Sequence, residues 1–100
     1  MKQAYTIRTK VWLYPGNAGA WHFASIDKST SEKIKKSQMK IKRRGWGSIP
    51  VSVTIGKSNW RTSIFPDKDG TYLLPLKASI RRNEHIIEGD RITIRCTVLP

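Results

Sequence analysis

Cysteine is nearly absent from this chain: Cys96 is the single one in 100 residues. An intramolecular disulfide is therefore excluded, as is a cysteine cluster for zinc or an iron–sulfur centre, and a reducing compartment is expected. Histidine is almost as scarce. His22 and His85 stand far apart, without an HExxH pair, a nucleophile elbow or a phosphate-cradling glycine loop. Gly45-Trp46-Gly47 is too short for a dinucleotide fingerprint, and Gly56-Lys57-Ser58 lacks the upstream glycine of a P-loop. Catalysis, a resident metal and a bound cofactor are accordingly not expected. No apolar run approaches the length of a spanning helix, and the first residues alternate instead of forming an apolar block. The expectation is a cytoplasmic protein with no membrane partner.

Acidic residues are the third shortage. Seven Asp and Glu face 19 Lys and Arg, a formal net charge of +12. A surplus of that size attracts anions, and on charge alone nucleic acid, an acidic protein surface and an anionic membrane all qualify, although residues 30–44 lack the aromatic and leucine face that docking on lipid needs. The charge is unevenly spread. Residues 28–44 hold Lys28, Lys33, Lys35, Lys36, Lys40, Lys42, Arg43 and Arg44 against Glu32 alone.

What the chain does contain is alternation. With 38% hydrophobic residues and four tryptophans, the composition is globular, and the length suits one domain spanning 1–100. Its most regular stretch is 45–70. Val51, Val53 and Ile55 share one face of a first run, Trp60, Thr62 and Ile64 share one face of a second, and Gly56-Lys57-Ser58-Asn59 joins them as a β-hairpin.

Residues 4–14 alternate in the same way, with Tyr5, Ile7, Val11 and Leu13 opposite Thr6, Arg8, Lys10 and Trp12. Pro15-Gly16-Asn17 turns the chain into a partner run in which Trp21, Phe23 and Ser25 oppose His22, Ala24 and Ile26. His22 is read as a strand residue on the wet face, and His85 as an exposed loop residue. Ser29 and Glu32 have the spacing of a capping box, which predicts a short helix over 30–39 within a basic helical insertion at about 28–44. Its only apolar residues, Ile34 and Met39, are too few for a deeply buried face, so it is expected on the surface or as a mobile excursion. Residues 71–76 read as a brief strand ended by Pro75, and 77–83 as two helical turns with Ala78 and Ile80 inward. In the last run Ile92, Ile94, Cys96 and Val98 share a face, which places the thiol in the core.

Six strands and two short helices in so small a chain predict a closed or partly open six-stranded antiparallel β-barrel, mostly β, with a two-sheet sandwich as the alternative. The run GWGSIPVSVTIGKSNWRTSIFPDKDGTYLLPLKASIRR, followed by EGDRITI, resembles the small bacterial family known as domain of unknown function nineteen hundred and five. The resemblance extends to the first strand and the Trp21-His22-Phe23 run. It implies a compact six-stranded barrel with no established activity, cofactor or catalytic residues. Some members continue into a segment resembling a bacteriocin-protection domain, and a chain ending at Pro100 resembles the stand-alone form.

Two constellations are candidates for function. Lys35, Lys36, Lys40, Lys42, Arg43 and Arg44, with Trp46 to stack on an unpaired base, form a nucleic-acid-binding candidate. Arg61, Ser63, Arg81 and Arg82 form an anion-binding candidate, since guanidinium forks match carboxylate and phosphate geometry. The competing reading of the second group is structural, with Arg61 and Arg81 pairing with Asp67, Asp69, Glu84 or Asp90 to fasten loops. The preferred function from sequence is a non-enzymatic polyanion-binding barrel, with single-stranded nucleic acid as the partner. A small-anion or protein-binding barrel is the alternative.

Overall fold

In the computed structural model, which describes residues 3–16, 19–39 and 47–100, the alternating runs become six strands. These are β1 (Ala4–Gly16), β2 (Gly19–Ile26), β3 (Ile49–Ile55), β4 (Ser58–Pro66), β5 (Tyr72–Pro75) and β6 (Arg91–Val98), with α1 (Lys28–Met39) after β2 and α2 (Ala78–Asn83) after β5. The strands close in the order β1-β2-β5-β4-β3-β6, every neighbouring pair antiparallel. The closed barrel sets the sandwich aside.

Period-two alternation decides what faces in. Ile7 and Val11 of β1, Ala24 and Ile26 of β2, and Ile92, Ile94 and Cys96 of β6 are buried, while their neighbours in sequence point outward. Burial pushes the Cys96 thiol up to about 11, as expected for an inert core group. Val51, Val53 and Ile55 pair the hairpin's inner face with Trp60 and Ile64. At its turn Gly56 has φ +57, and a side chain there would strike the Glu84 carboxylate. The positive φ is what glycine adopts without strain, and a larger residue would also displace the Glu84 carboxylate.

The helices close opposite ends of the barrel. α1 follows β2 and lies across the end where β5 begins: the Ser31 hydroxyl donates to the Ile26 carbonyl at 3.0 Å and accepts from the Tyr72 N–H at 3.0 Å. Ile34 and Ser31 are both fully buried. The expected capping box is replaced by Asp27, whose Oδ2 accepts from the Thr30 N–H and hydroxyl, each at 2.9 Å. Burial raises the Asp27 carboxyl, but the two Thr30 bonds, together with its own backbone N–H and the Lys33 charge, outweigh it and the net shift is downward. The helix therefore starts at Lys28 and leaves Ser29 exposed in its first turn. Instead of resting loosely on the surface, α1 is a plug.

At the other end α2 follows β5. Ile80 is its buried residue, and Ala78, expected to face inward beside it, is exposed. Ser58 of β4 donates to Glu84 just beyond the helix at 2.6 Å, and on the same rim the Val11 N–H donates to the Asp90 carbonyl while the Val11 carbonyl accepts from the Gly89 N–H, each at 2.8 Å.

Candidate functional site

One pair of strands is joined less completely than the others. β5 runs beside β2 from Ile26↔Tyr72 to Phe23↔Pro75, but meets β4 only at Phe65↔Leu73 and Pro66↔Tyr72 among the described residues. Proline supplies the reason. The Leu76 N–H donates to the His22 carbonyl at 2.9 Å, so Leu76 directs its donor toward β2. Successive residues of a strand direct their donors to opposite sides, and Pro75 is thus the position whose N–H belongs on the β4 side. It has none. The two strands part, and a cleft of about 530 Å³ opens between β4, the end of β5 and α2.

The floor of the cleft is apolar, with Trp60 and Leu76 both buried core residues. Its rim is basic. Arg61 and Thr62 reach it from β4, and Lys77 and Arg81 from the start and last turn of the α2 segment. Arg81 is half-buried and its Nε donates to the Leu76 carbonyl at 3.1 Å, which fixes the guanidinium. The two terminal amino groups have no protein acceptor among the described residues.

The carboxylates offered by sequence as partners for these arginines are engaged elsewhere. Glu84 accepts from Ser58 at 2.6 Å, Asp90 from the Ile87 N–H at 2.9 Å, Asp67 from the Lys68 N–H at 2.8 Å, and Asp69 from the Thr71 N–H and hydroxyl at 3.0 and 2.6 Å. Those Thr71 bonds hold the Asp69 carboxyl below its ordinary value.

His22 also lines the cleft and corrects a sequence expectation. Its register, Leu13↔His22 beside Val11↔Ala24, puts it on the inward parity and not the wet one. Its Nδ1 is buried without a hydrogen-bond partner, a costly state for a ring nitrogen unless something else satisfies it. Burial lowers the His22 pKa, the nearby Arg81 charge lowers it further, and Glu88 works in the opposite direction. The cleft therefore favours the neutral imidazole.

Of the four anion-binding candidates, the structure brings Arg61 and Arg81 together. Ser63 lies on the outward parity of β4 and Arg82 is exposed on α2, and neither lines the cleft. Because β4 stands free of β5 over residues 60–62, Arg61 and Thr62 reach the cleft from opposite parities. Trp60, Lys77 and His22 were missed from sequence as members of this group. Parity with Ala24 and Ile26 was the available signal for His22.

Of the nucleic-acid candidates, Lys35 and Lys36 are exposed on α1, at the far end of the barrel. Lys40, Lys42, Arg43, Arg44 and Trp46 lie outside the described residues. Among the described residues there is no group of three or more His, Cys, Asp or Glu placed to hold a metal ion, and no helix is long and apolar enough to cross a membrane.

No curated protein and no solved structure matches the chain. The family model described as Domain of unknown function (DUF1905) matches residues 8–96. With most of the barrel and every residue of the cleft inside that match, the chain belongs to the DUF1905 family.

Proposed function

We propose that the protein is a binding barrel that holds a small anion in the cleft between β4, β5 and α2. The observation that carries this reading is the convergence of Arg61 and Arg81, from two separate elements, on one cleft where neither has a carboxylate partner among the described residues. Uncompensated guanidinium groups beside an apolar floor bind carboxylate or phosphate well, since their planar forks match both and the nearby low-dielectric wall strengthens the attraction.

The dimensions favour an organic anion over an inorganic ion. About 530 Å³ falls within the roughly 300–1,000 Å³ of small-molecule sites. Trp60, Leu76 and Pro75 offer the body of the ligand an apolar bed, and the unpartnered Nδ1 of His22 offers it one directed hydrogen bond.

The test is thermal unfolding in the presence of inorganic phosphate, acetate and benzoate, each across a concentration series. A ligand bound to the folded state alone raises the unfolding midpoint by mass action. At least one of these anions raises it, benzoate more than acetate, and Arg61→Ala and Arg81→Ala each abolish the rise while the ligand-free protein stays folded. A rise retained in both variants, or no rise with any of the three, overturns the proposal.

A further inference from the structure

The outer wall of the barrel separates its charges unusually. All seven acidic residues of the chain, Asp27, Glu32, Asp67, Asp69, Glu84, Glu88 and Asp90, lie outside the strands. The strands carry cations instead, and four of them sit together on the outward faces of the neighbouring strands β1 and β6. Lys10 is directly opposite Arg91, and Arg8, opposite Thr93, has Arg91 and Arg95 on its diagonals. All four are exposed. Like charges facing one another across a strand pair are destabilising, so a folded sheet that keeps four of them side by side calls for an external counter-charge.

Directly along β1 from those cations the outward face becomes aromatic. Trp12 pairs with Phe23 and Tyr14 with Trp21 across the β1–β2 ladder. Trp12 and Phe23 have ring centroids 5.3 Å apart, and Trp21 lies nearly parallel to Phe23 at 6.4 Å with an interplanar angle of 12°. Tyr14 meets both Trp12 and Phe23 edge-on. The Trp12 indole N–H donates to the Ser25 hydroxyl at 2.9 Å, which anchors the cluster. Even so, Tyr14 is 55% and Trp21 60% exposed. Rings of that size held rigidly and left in solvent are a contact surface and not a core.

Together these residues make one ribbon on the barrel wall, cations at one end and rings at the other. From Arg8 to Tyr14 it spans about 20 Å at the usual strand rise. Glu88 lies beside Lys10 and Trp12 at its edge.

We infer that this ribbon of β6, β1 and β2 binds single-stranded nucleic acid, the phosphates lying along Arg95, Arg8, Arg91 and Lys10 and unpaired bases stacking on Tyr14 and Trp21. The chemistry selects that partner. A single strand presents repeated negative charge and free π-faces in the same sequence, which is the pairing the wall offers. A duplex hides its base faces within its own stack. Of the ribbon's residues Trp21 alone also lines the cleft, and the inference uses neither the cleft arginines nor the α1 cations.

It is tested by fluorescence anisotropy with labelled oligothymidine of about twelve nucleotides, within the span a barrel of this size covers, across a salt series, beside base-free polyphosphate as competitor. Oligothymidine is expected to bind well below the roughly 0.1 mM end of nonspecific affinity and tighter than polyphosphate. Tyr14→Ala, which removes no cleft-lining side chain, weakens it about tenfold, and so does Trp21→Ala. Arg8→Ser and Arg95→Ser each flatten the slope of log affinity against log salt by about 0.7. Unchanged circular dichroism spectra and unfolding midpoints show that each variant keeps its fold. Equal binding of polyphosphate and oligothymidine, full affinity in Tyr14→Ala, or a loss confined to Lys35→Ser and Lys36→Ser on α1 overturns the inference.

Discussion

At the α1 end of the barrel the buried polar side chain is satisfied: the Ser31 hydroxyl is fully buried, gives one hydrogen bond and takes another, and Ile34 beside it fills the mouth. At the α2 end the equivalent space holds a cleft of about 530 Å³ and, among the described residues, an imidazole nitrogen without a partner and two guanidinium groups without carboxylates. Both helices are short, and both close a ring of the same six strands. The difference shows that closing a barrel and finishing its core are separate matters. One end is packed and satisfied, and the other is the end to which the proposed anion site belongs.

If that contrast is right, substitutions at the sealed end cost most. Ile34→Ala removes a fully buried side chain from the plug and is expected to destabilise by about 2–5 kcal/mol, read from urea or guanidinium unfolding. A loss well below that range would mean that α1 lies on the barrel without sealing it. Ser31→Ala follows at about 1–3 kcal/mol, because it strands the Tyr72 N–H in the interior. A neutral result would show that water reaches this end too.

The open end should respond to pH instead. Folding holds His22 below its ordinary value of 6.5, chiefly by burial and next through Arg81. Below pH 6.5 the unfolded chain then binds more protons than the folded one. Stability from this residue is complete above 6.5 and declines as the pH falls toward the folded midpoint. Proton NMR of the His22 ring is expected to give a midpoint below 6.5, and Arg81→Ala to move it upward. An unshifted midpoint would mean that the cleft admits bulk water to the ring.

The smallest effect belongs to Arg61, exposed at the rim. Arg61→Ala should leave ligand-free stability within about 0.5 kcal/mol of the parent. A larger loss would return this arginine to the role of fastening loops.

Much of the barrel was legible in the alternation alone. The inward sets of β1, β3, β4 and β6 follow directly from side-chain parity, which also put Cys96 in the core. The helix α1 was harder to read. Two apolar residues, Ile34 and Met39, looked too few for a buried face, yet one isoleucine and one serine suffice where the target is the narrow mouth of a barrel and not a broad sheet. The start of that helix was misjudged because Asp27, Ser29 and Thr30 are all capping types, and only the bond from Thr30 to Asp27 separates them.

Half of the candidate site could be read as well. Arg61 and Arg81 were recognisable by residue type, but their meeting depends on the parting of β4 from β5, and Pro75 was read simply as a strand end. His22 was assigned outward because histidine is usually solvated. Its parity pointed inward all along. The aromatic wall was visible only in part, since pairing Trp12 with Phe23 and Tyr14 with Trp21 needs the register of a turn whose length the sequence does not settle.

The most direct measurement is the His22 titration repeated in saturating benzoate. Bound in the cleft, the anion stabilises the charged imidazole, so the midpoint should rise in the parent protein and stay put in Arg61→Ala and Arg81→Ala. A midpoint that ignores the anion in the parent, or follows it equally in the variants, would contradict the account of the α2 end as an anion site.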